Sequence, residues 1–207
     1  MNNHFILDFE TFGQNVFTCP VINCAMYIFD WDRFTTNPYT FEELVRDIRL
    51  LKLDVTSQVK EHGCVIEKSS IDFWSSMPSD VKAQIKPKKD DISVLQFCEI
   101  VLDYLKDKDI QYWWSRSNTF DPVILNRLFK YYKMSLKLDE SLKYWRVRDT
   151  RTYYDAKFFF ELKSNGFIPI DDHVKWNEIF HKHDSVHDLA AEVLRLQKIT
   201  QVENNYD

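Results

Sequence analysis

The stretch His4-Phe5-Ile6-Leu7-Asp8-Phe9-Glu10 restricts the fold more than any other part of the chain. An apolar run that turns alternating at its end reads as a buried strand. Its last residues carry Asp8 and Glu10 to one face, because side chains two apart on a strand point the same way. Paired carboxylates there repel each other and are costly unless something positive lies between them. The next run, Val21 to Phe29, is apolar enough for a central strand, and Ile48 to Val55 has the look of a third. Three strands with no long helix between them imply an antiparallel meander.

From Ser69 the pattern turns helical. Ser69 to Trp74 and Ser79 to Ile85 read as short helices, and Asp90 to Lys108 as a long one with Ile92, Leu95, Cys98, Leu102 and Leu105 on its apolar face. Tyr112 to Ser115 is a compact aromatic strand, and Pro122 suits the first turn of a helix reaching about Lys133. A strand over Tyr144 to Val147, a helix over Thr150 to Leu162 and an irregular stretch with Gly166 and Pro169 follow. A last helix is capped by Asp184 or Ser185 and carries Leu189, Val193 and Leu196 on its apolar face. Helices alternating with the later strands imply parallel additions to the sheet. The expectation is an α/β protein with a mixed sheet of about five strands flanked by helices. With 3 Gly, 6 Pro and no composition break, one domain is expected over residues 1–207.

Charge excludes one mode of action. The 32 acidic and 27 basic residues leave a net −5, which is not the footprint of a protein held on nucleic acid by bulk charge. An acidic cluster carrying divalent cations is compatible with it. Cys19, Cys24, Cys64 and Cys98 show no metal or redox spacing and are expected as buried, reduced thiols. No run approaches the roughly 18–20 apolar residues of a membrane span. The opening MNNHFILDFE lacks a basic region and has two carboxylates where a signal peptide is apolar, so a cytoplasmic protein is expected.

The chemistry-bearing residues are each ambiguous alone. Asp8 and Glu10 offer oxygen ligands that suit magnesium or manganese, or they are alternate residues of an edge strand facing water. Asp121, before Pro122, has the position of a helix N-cap. Asp188 lies in a first helical turn, where an acidic residue also suits the dipole. His181, His183 and His187 raise the option of zinc, but with Asp184 as cap the first two lie outside the helix and no shared face forms.

Taken together, these segments resemble the DEDD superfamily of 3′-to-5′ exonucleases. Leu7-Asp8-Phe9-Glu10-Thr11-Phe12-Gly13 is similar to its first motif, D-x-E-T-x-G after a strand, and Phe120-Asp121 to the core of the second. His183-Asp184-Ser185-Val186-His187-Asp188 is similar to the third, H-x(4)-D, of the DnaQ-like DEDDh branch that uses histidine as base. The likeness runs from Phe5 to about Leu196. Within it, Lys68 to Trp74 and Arg148 to Thr152 resemble the bacteriophage exodeoxyribonucleases, and a group of small exoribonucleases is similar too. In one departure, Ser117 stands where many relatives carry Asn four residues before the second-motif Asp.

The resemblance implies a ribonuclease H-like fold and hydrolysis of nucleotides from DNA 3′ ends, with RNA as the alternative substrate. It implies two Mg2+ ions, replaceable by Mn2+, with Asp8 bridging them, Glu10 and Asp188 on the ion that binds the attacking water, and Asp121 supporting the other. Two such ions neutralise charge on both the entering and leaving oxygens. His183 would be the general base, and the backbone at Thr11 and Phe12 would contact the terminal nucleotide. Trp74 is a further aromatic candidate for that contact, or a core residue of an amphipathic turn. The partner implied is nucleic acid and not a membrane, in the host cytoplasm if the chain is phage-encoded. A catalytically silent binding module is the reading from another class, and the intact set of four carboxylates and His183 weighs against it.

Overall fold

The computed structural model describes residues 2–157 and 167–203. Five strands form one sheet in the order β3-β2-β1-β4-β5. They are β1 (Asn3–Thr11), β2 (Val21–Asp30), β3 (Arg49–Lys52), β4 (Ile110–Ser115) and β5 (Val147–Asp149). The first three are an antiparallel meander, and β4 and β5 add in parallel beyond β1. This is the mixed sheet that the sequence predicts.

Helices cover both faces. In chain order they are α1 (Arg33–Thr36), α2 (Phe41–Asp47), α3 (Val55–His62), α4 (Lys68–Ser76), α5 (Ser79–Ile85) and α6 (Val94–Leu105). After β4 come α7 (Asp121–Tyr131), α8 (Ser135–Ser141), α9 (Thr150–Lys157), α10 (His173–Ile179) and α11 (Ser185–Glu203). The two-residue period of β1 divides the core. Phe5, Leu7 and Phe9 pack with Phe97, Val101, Leu125 and Leu128 of α6 and α7. Ile6 faces the other way, with Trp114 and with Ala190, Val193 and Leu194 of α11. Asp8 and Glu10 continue the Ile6 side and therefore look toward α11.

Several boundaries differ from the sequence reading, for local reasons. The third strand ends at Lys52, because Asp54 accepts hydrogen bonds from the Thr56 and Ser57 amides and starts α3 at Val55. The β-branched Val55 disguised that start. The long helix begins at Val94 rather than Asp90, since Ser93 and Gln96 form a reciprocal capping box. Tyr144–Arg146 is a 3-10 turn, and the strand is displaced to Val147–Asp149. Helices α8 and α10, of seven residues each, were too short for a periodic signal. The helix expected over Thr150 to Leu162 is described as far as Lys157, and its remainder, with Gly166, lies outside the described residues. All four cysteines are buried and free. Among the described residues no helix is long and apolar enough to cross a membrane.

One buried side chain substitutes for backbone pairing near the site. Gln58 of α3 accepts from the Val21 amide at 2.8 Å and donates to the Val21 carbonyl at 2.8 Å. Gln58→Leu leaves both backbone groups buried without a partner, which costs about 2–4 kcal/mol. The expected result is a melting temperature lower by roughly 5–15 °C, measured by calorimetry.

Candidate active site

The site opens where two parallel strands part. The pairing of β1 with β4 runs to Ile6 opposite Trp114 and stops there. Three residues on, the Phe9 amide donates instead to Oδ1 of Asp121 at 3.1 Å. Asp121 is the first residue of α7, after Phe120 at the cap position, so its carboxylate does not cap the helix as its place before Pro122 suggested. It takes over the strand pairing that β4 abandons. A register shift between Glu10 and Thr11 bends β1 away from β2 at the same level. Crevices at the carboxyl ends of parallel strands, where the strand order reverses, are the usual ligand sites of such sheets.

α11 closes the crevice from the other side. Its first turn presents Asp188, and Asp184 caps it by accepting from the Val186 and His187 amides at 3.0 and 3.3 Å. His183 precedes the cap with a left-handed backbone (φ 67°), and its amide donates to Oδ2 of Asp188 at 2.9 Å. One ligand atom from each of Glu10, His183 and Asp188 lies within 4.8 Å of the others. Asp8, Glu10, Asp121, His183 and Asp188 all line one cleft of about 1010 Å³. All five residues singled out from the sequence are therefore brought together.

The concentration of charge is visible in their proton affinities. Burial, then the neighbouring carboxylates, raise Asp8 and Glu10 well above the ordinary carboxylate range. Burial lifts Asp121 to about 7 against the opposing bond from Phe9, and lifts Asp188 to about 6 against the bond from His183. Burial, then Lys182, hold His183 below its ordinary value, which favours the neutral ring.

A second acidic residue on α11 behaves in the opposite way. Glu192 stands one turn after Asp188 and is buried, yet Arg195 and Arg116 outweigh its burial and keep its carboxyl below the ordinary value. Both arginines pair with Oε1, while Thr150 at 2.8 Å and Tyr154 at 3.0 Å donate to Oε2. Sequence reasoning missed this cluster. The i, i+4 spacing from Asp188 places Glu192 on the same helix face and was the available signal.

The expected nucleotide contacts fare differently. Trp74 is 3% exposed and donates its indole N–H to the Thr11 carbonyl at 3.0 Å, so it braces the loop from inside and presents no open ring face. Its neighbour Phe73 is 40% exposed and packs edge-on against the His183 ring at 5.0 Å. The Phe12 amide is taken by the Pro20 carbonyl and its carbonyl by the Glu67 amide, while the ring packs beside Ile22 and Trp74. Thr11 bonds through its hydroxyl to the Gly13 carbonyl. Gly13 itself is required by space, because a Cβ there would lie 2.9 Å from Cys19 Cβ and from Glu67 Oε1. His187 faces Phe41, and its Nδ1 accepts from the His181 amide, away from the carboxylates. Among the described residues, the group with metal-ligand geometry contains His183 but neither His181 nor His187, so the three histidines do not form a shared site.

Comparison with known proteins agrees with this geometry. Over 212 residues the chain is 29% identical to the exodeoxyribonuclease of Enterobacteria phage T4, covering 93% of this chain and 87% of that protein. Its fold is similar to E. coli exonuclease I in a single-stranded DNA complex, with TM-score 0.66, 14% identity and 99% of this chain covered. The chain spans 41% of the exonuclease I chain. It is also similar to the nuclease domain of 3′hExo, a DEDDh family member bound to rAMP, with TM-score 0.59, 12% identity and 98% and 92% of the two chains covered. These likenesses show a ribonuclease H-like fold. The model of the 3′-5′ exoribonuclease Rv2179c-like domain matches residues 3–199. The chain belongs to that family, and with it to the DnaQ-like 3′-5′ exonucleases.

Proposed function

We propose that this chain removes nucleotides from the 3′ ends of DNA, with Mg2+ at the four carboxylates and His183 as general base. The observation that carries the reading is the convergence of Asp8, Glu10, Asp121, Asp188 and His183 in one cleft. The identity with a phage exodeoxyribonuclease, spread over most of both chains, favours DNA. The family's description as exoribonuclease favours RNA as the second reading of the same site.

The residues fit divalent ions. Four hard oxygen donors with raised proton affinity are a site short of positive charge. Asp8, Glu10, Asp121 and Asp188 would hold the ions, which when bound neutralise charge on the phosphodiester and acidify water. The chain's own residues perform the rest. The neutral His183 ring takes the proton of the attacking water, and the Asp188 carboxylate anchors the His183 backbone so that the ring faces the cleft. Trp74 and Gly13 hold the Thr11 to Gly13 loop against the site. Phe73 offers the exposed ring on which a terminal base stacks.

Three outcomes test this. Incubating 5′-labelled DNA and RNA of matched sequence with Mg2+ should give a descending ladder, faster on DNA, that a 3′-phosphate blocks and EDTA abolishes. Equal digestion of 3′-phosphorylated ends would refute the polarity, and a faster RNA ladder the sugar preference.

Asp8→Asn should reduce hydrolysis to background while stabilising the ion-free protein at neutral pH. The sign follows from linkage. A carboxyl raised in the folded state binds its proton more tightly there, so its contribution is favourable below the unfolded value and is lost as pH rises through the folded one. The melting advantage of the variant should therefore vanish near pH 4, the ordinary carboxylate range, and grow as pH rises from there, read by thermal unfolding in EDTA.

His183→Ala should lower turnover by about 10²–10⁴-fold, the usual loss with a general base, and His187→Ala far less. Since burial and Lys182 lower the His183 value, the rising limb of the wild-type pH profile should centre below about 6.5. A crippled His187→Ala beside an active His183→Ala would reverse the assignment.

A further inference from the structure

Helices α4 and α5 reach the site at three places. Trp74 holds the Thr11 carbonyl, Phe73 packs on the His183 ring, and Gln84 of α5 donates from Nε2 to Oδ2 of Asp184 at 2.6 Å. The third contact crosses 100 residues of sequence and ends next to His183. The Asp184 carboxylate is thereby held from both sides. Its Oδ1 caps α11 through the Val186 and His187 amides, and its Oδ2 is held from α5. His183 lies between this anchor and its own amide bond to Asp188, in a left-handed backbone conformation that a residue with a side chain adopts only where its surroundings impose it.

We propose that Gln84 is a positioning residue: its amide fixes Asp184 and, through it, the direction of the His183 imidazole. The inference rests on the reading of His183 as base. A neutral donor suits the task. A lysine would bring positive charge beside a cleft that works through its negative field, and a glutamate would repel Asp184. An imidazole displaced by about 1 Å from the proton it removes loses on the order of 100-fold in rate, so a bond far from the reacting atoms can matter for turnover while leaving substrate and ion binding alone.

The test uses the full chain with Mn2+ and a single-stranded oligonucleotide. Gln84→Met keeps the length and removes the donor. It should speed amide hydrogen exchange in residues 180–185 and lower kcat by about 10- to 100-fold. KM and the Mn2+ half-saturation point should stay at wild-type values, and the melting temperature should fall by no more than about 4 °C. Gln84→Glu should lose at least as much kcat. Combining it with Asp184→Asn should recover most of that loss, because the new amide at 184 donates to the new carboxylate at 84 while its oxygen still caps α11. Wild-type kcat in Gln84→Met, a change confined to KM, or a double variant no better than Gln84→Glu alone would overturn the proposal. His183→Ala, run in parallel, separates the two failures. If it is crippled and Gln84→Met is not, the positioning role is wrong. If both are fully active while exchange in the loop is faster, the base assignment has failed and the positioning role falls with it.

Discussion

The cleft exists because β1 outlasts its parallel pairing with β4. A strand that continues past its neighbour exposes amides that the interior cannot leave unpaired. Here the Phe9 amide finds the Asp121 carboxylate, which comes from the helix that follows the departing strand. That one bond fixes α7 against β1 and sets Asp121 on the same side of the opening as Asp8 and Glu10. The register shift after Glu10 then turns the chain into the Thr11 to Gly13 loop, where Trp74 and the close approach at Gly13 keep it folded back.

Such an arrangement concentrates negative charge, and the fold separates two kinds of carboxylate on α11. Glu192 is neutralised by two arginines and two hydroxyl donors and is a structural anion. Asp188, one turn earlier, accepts from the His183 amide, and its proton affinity stays raised. Arg116 and Arg195 also line the cleft, and both pair with Oε1 of Glu192. This division is what the proposed cation site requires, since an ordinary buried ion-pair network would neutralise every carboxylate alike.

Much of this was legible residue by residue. The alternation Ile6, Asp8, Glu10 announced a strand with its carboxylates on one face, and Asp184 or Ser185 ahead of the apolar positions of α11 announced a cap followed by an acidic first turn at Asp188. Asp121 was ambiguous for a definite reason: before Pro122 it satisfies every rule for an N-cap, and only the course of β1 shows that its carboxylate is used elsewhere. Trp74 was open between two readings for a similar reason. An aromatic at the end of a short helix suits either a core or a stacking surface, and the Thr11 carbonyl that claims its indole N–H is 63 residues away.

The sequence by itself determined the features that depend on backbone periodicity and near neighbours. These are the face on which Asp8 and Glu10 lie, the start of α11 after a cap at Asp184 or Ser185, and the sheet built from a meander with parallel additions. Those properties follow from two-residue and 3.6-residue repeats and from side chains that bond within a few positions. Tertiary structure alone decided which distant group each polar atom meets. It gave Asp121 to Phe9, Gln84 to Asp184, and Arg116 with Arg195 to Glu192. The physical reason is that a buried polar atom must find some partner, but which partner depends on how the layers pack, and no local pattern records that.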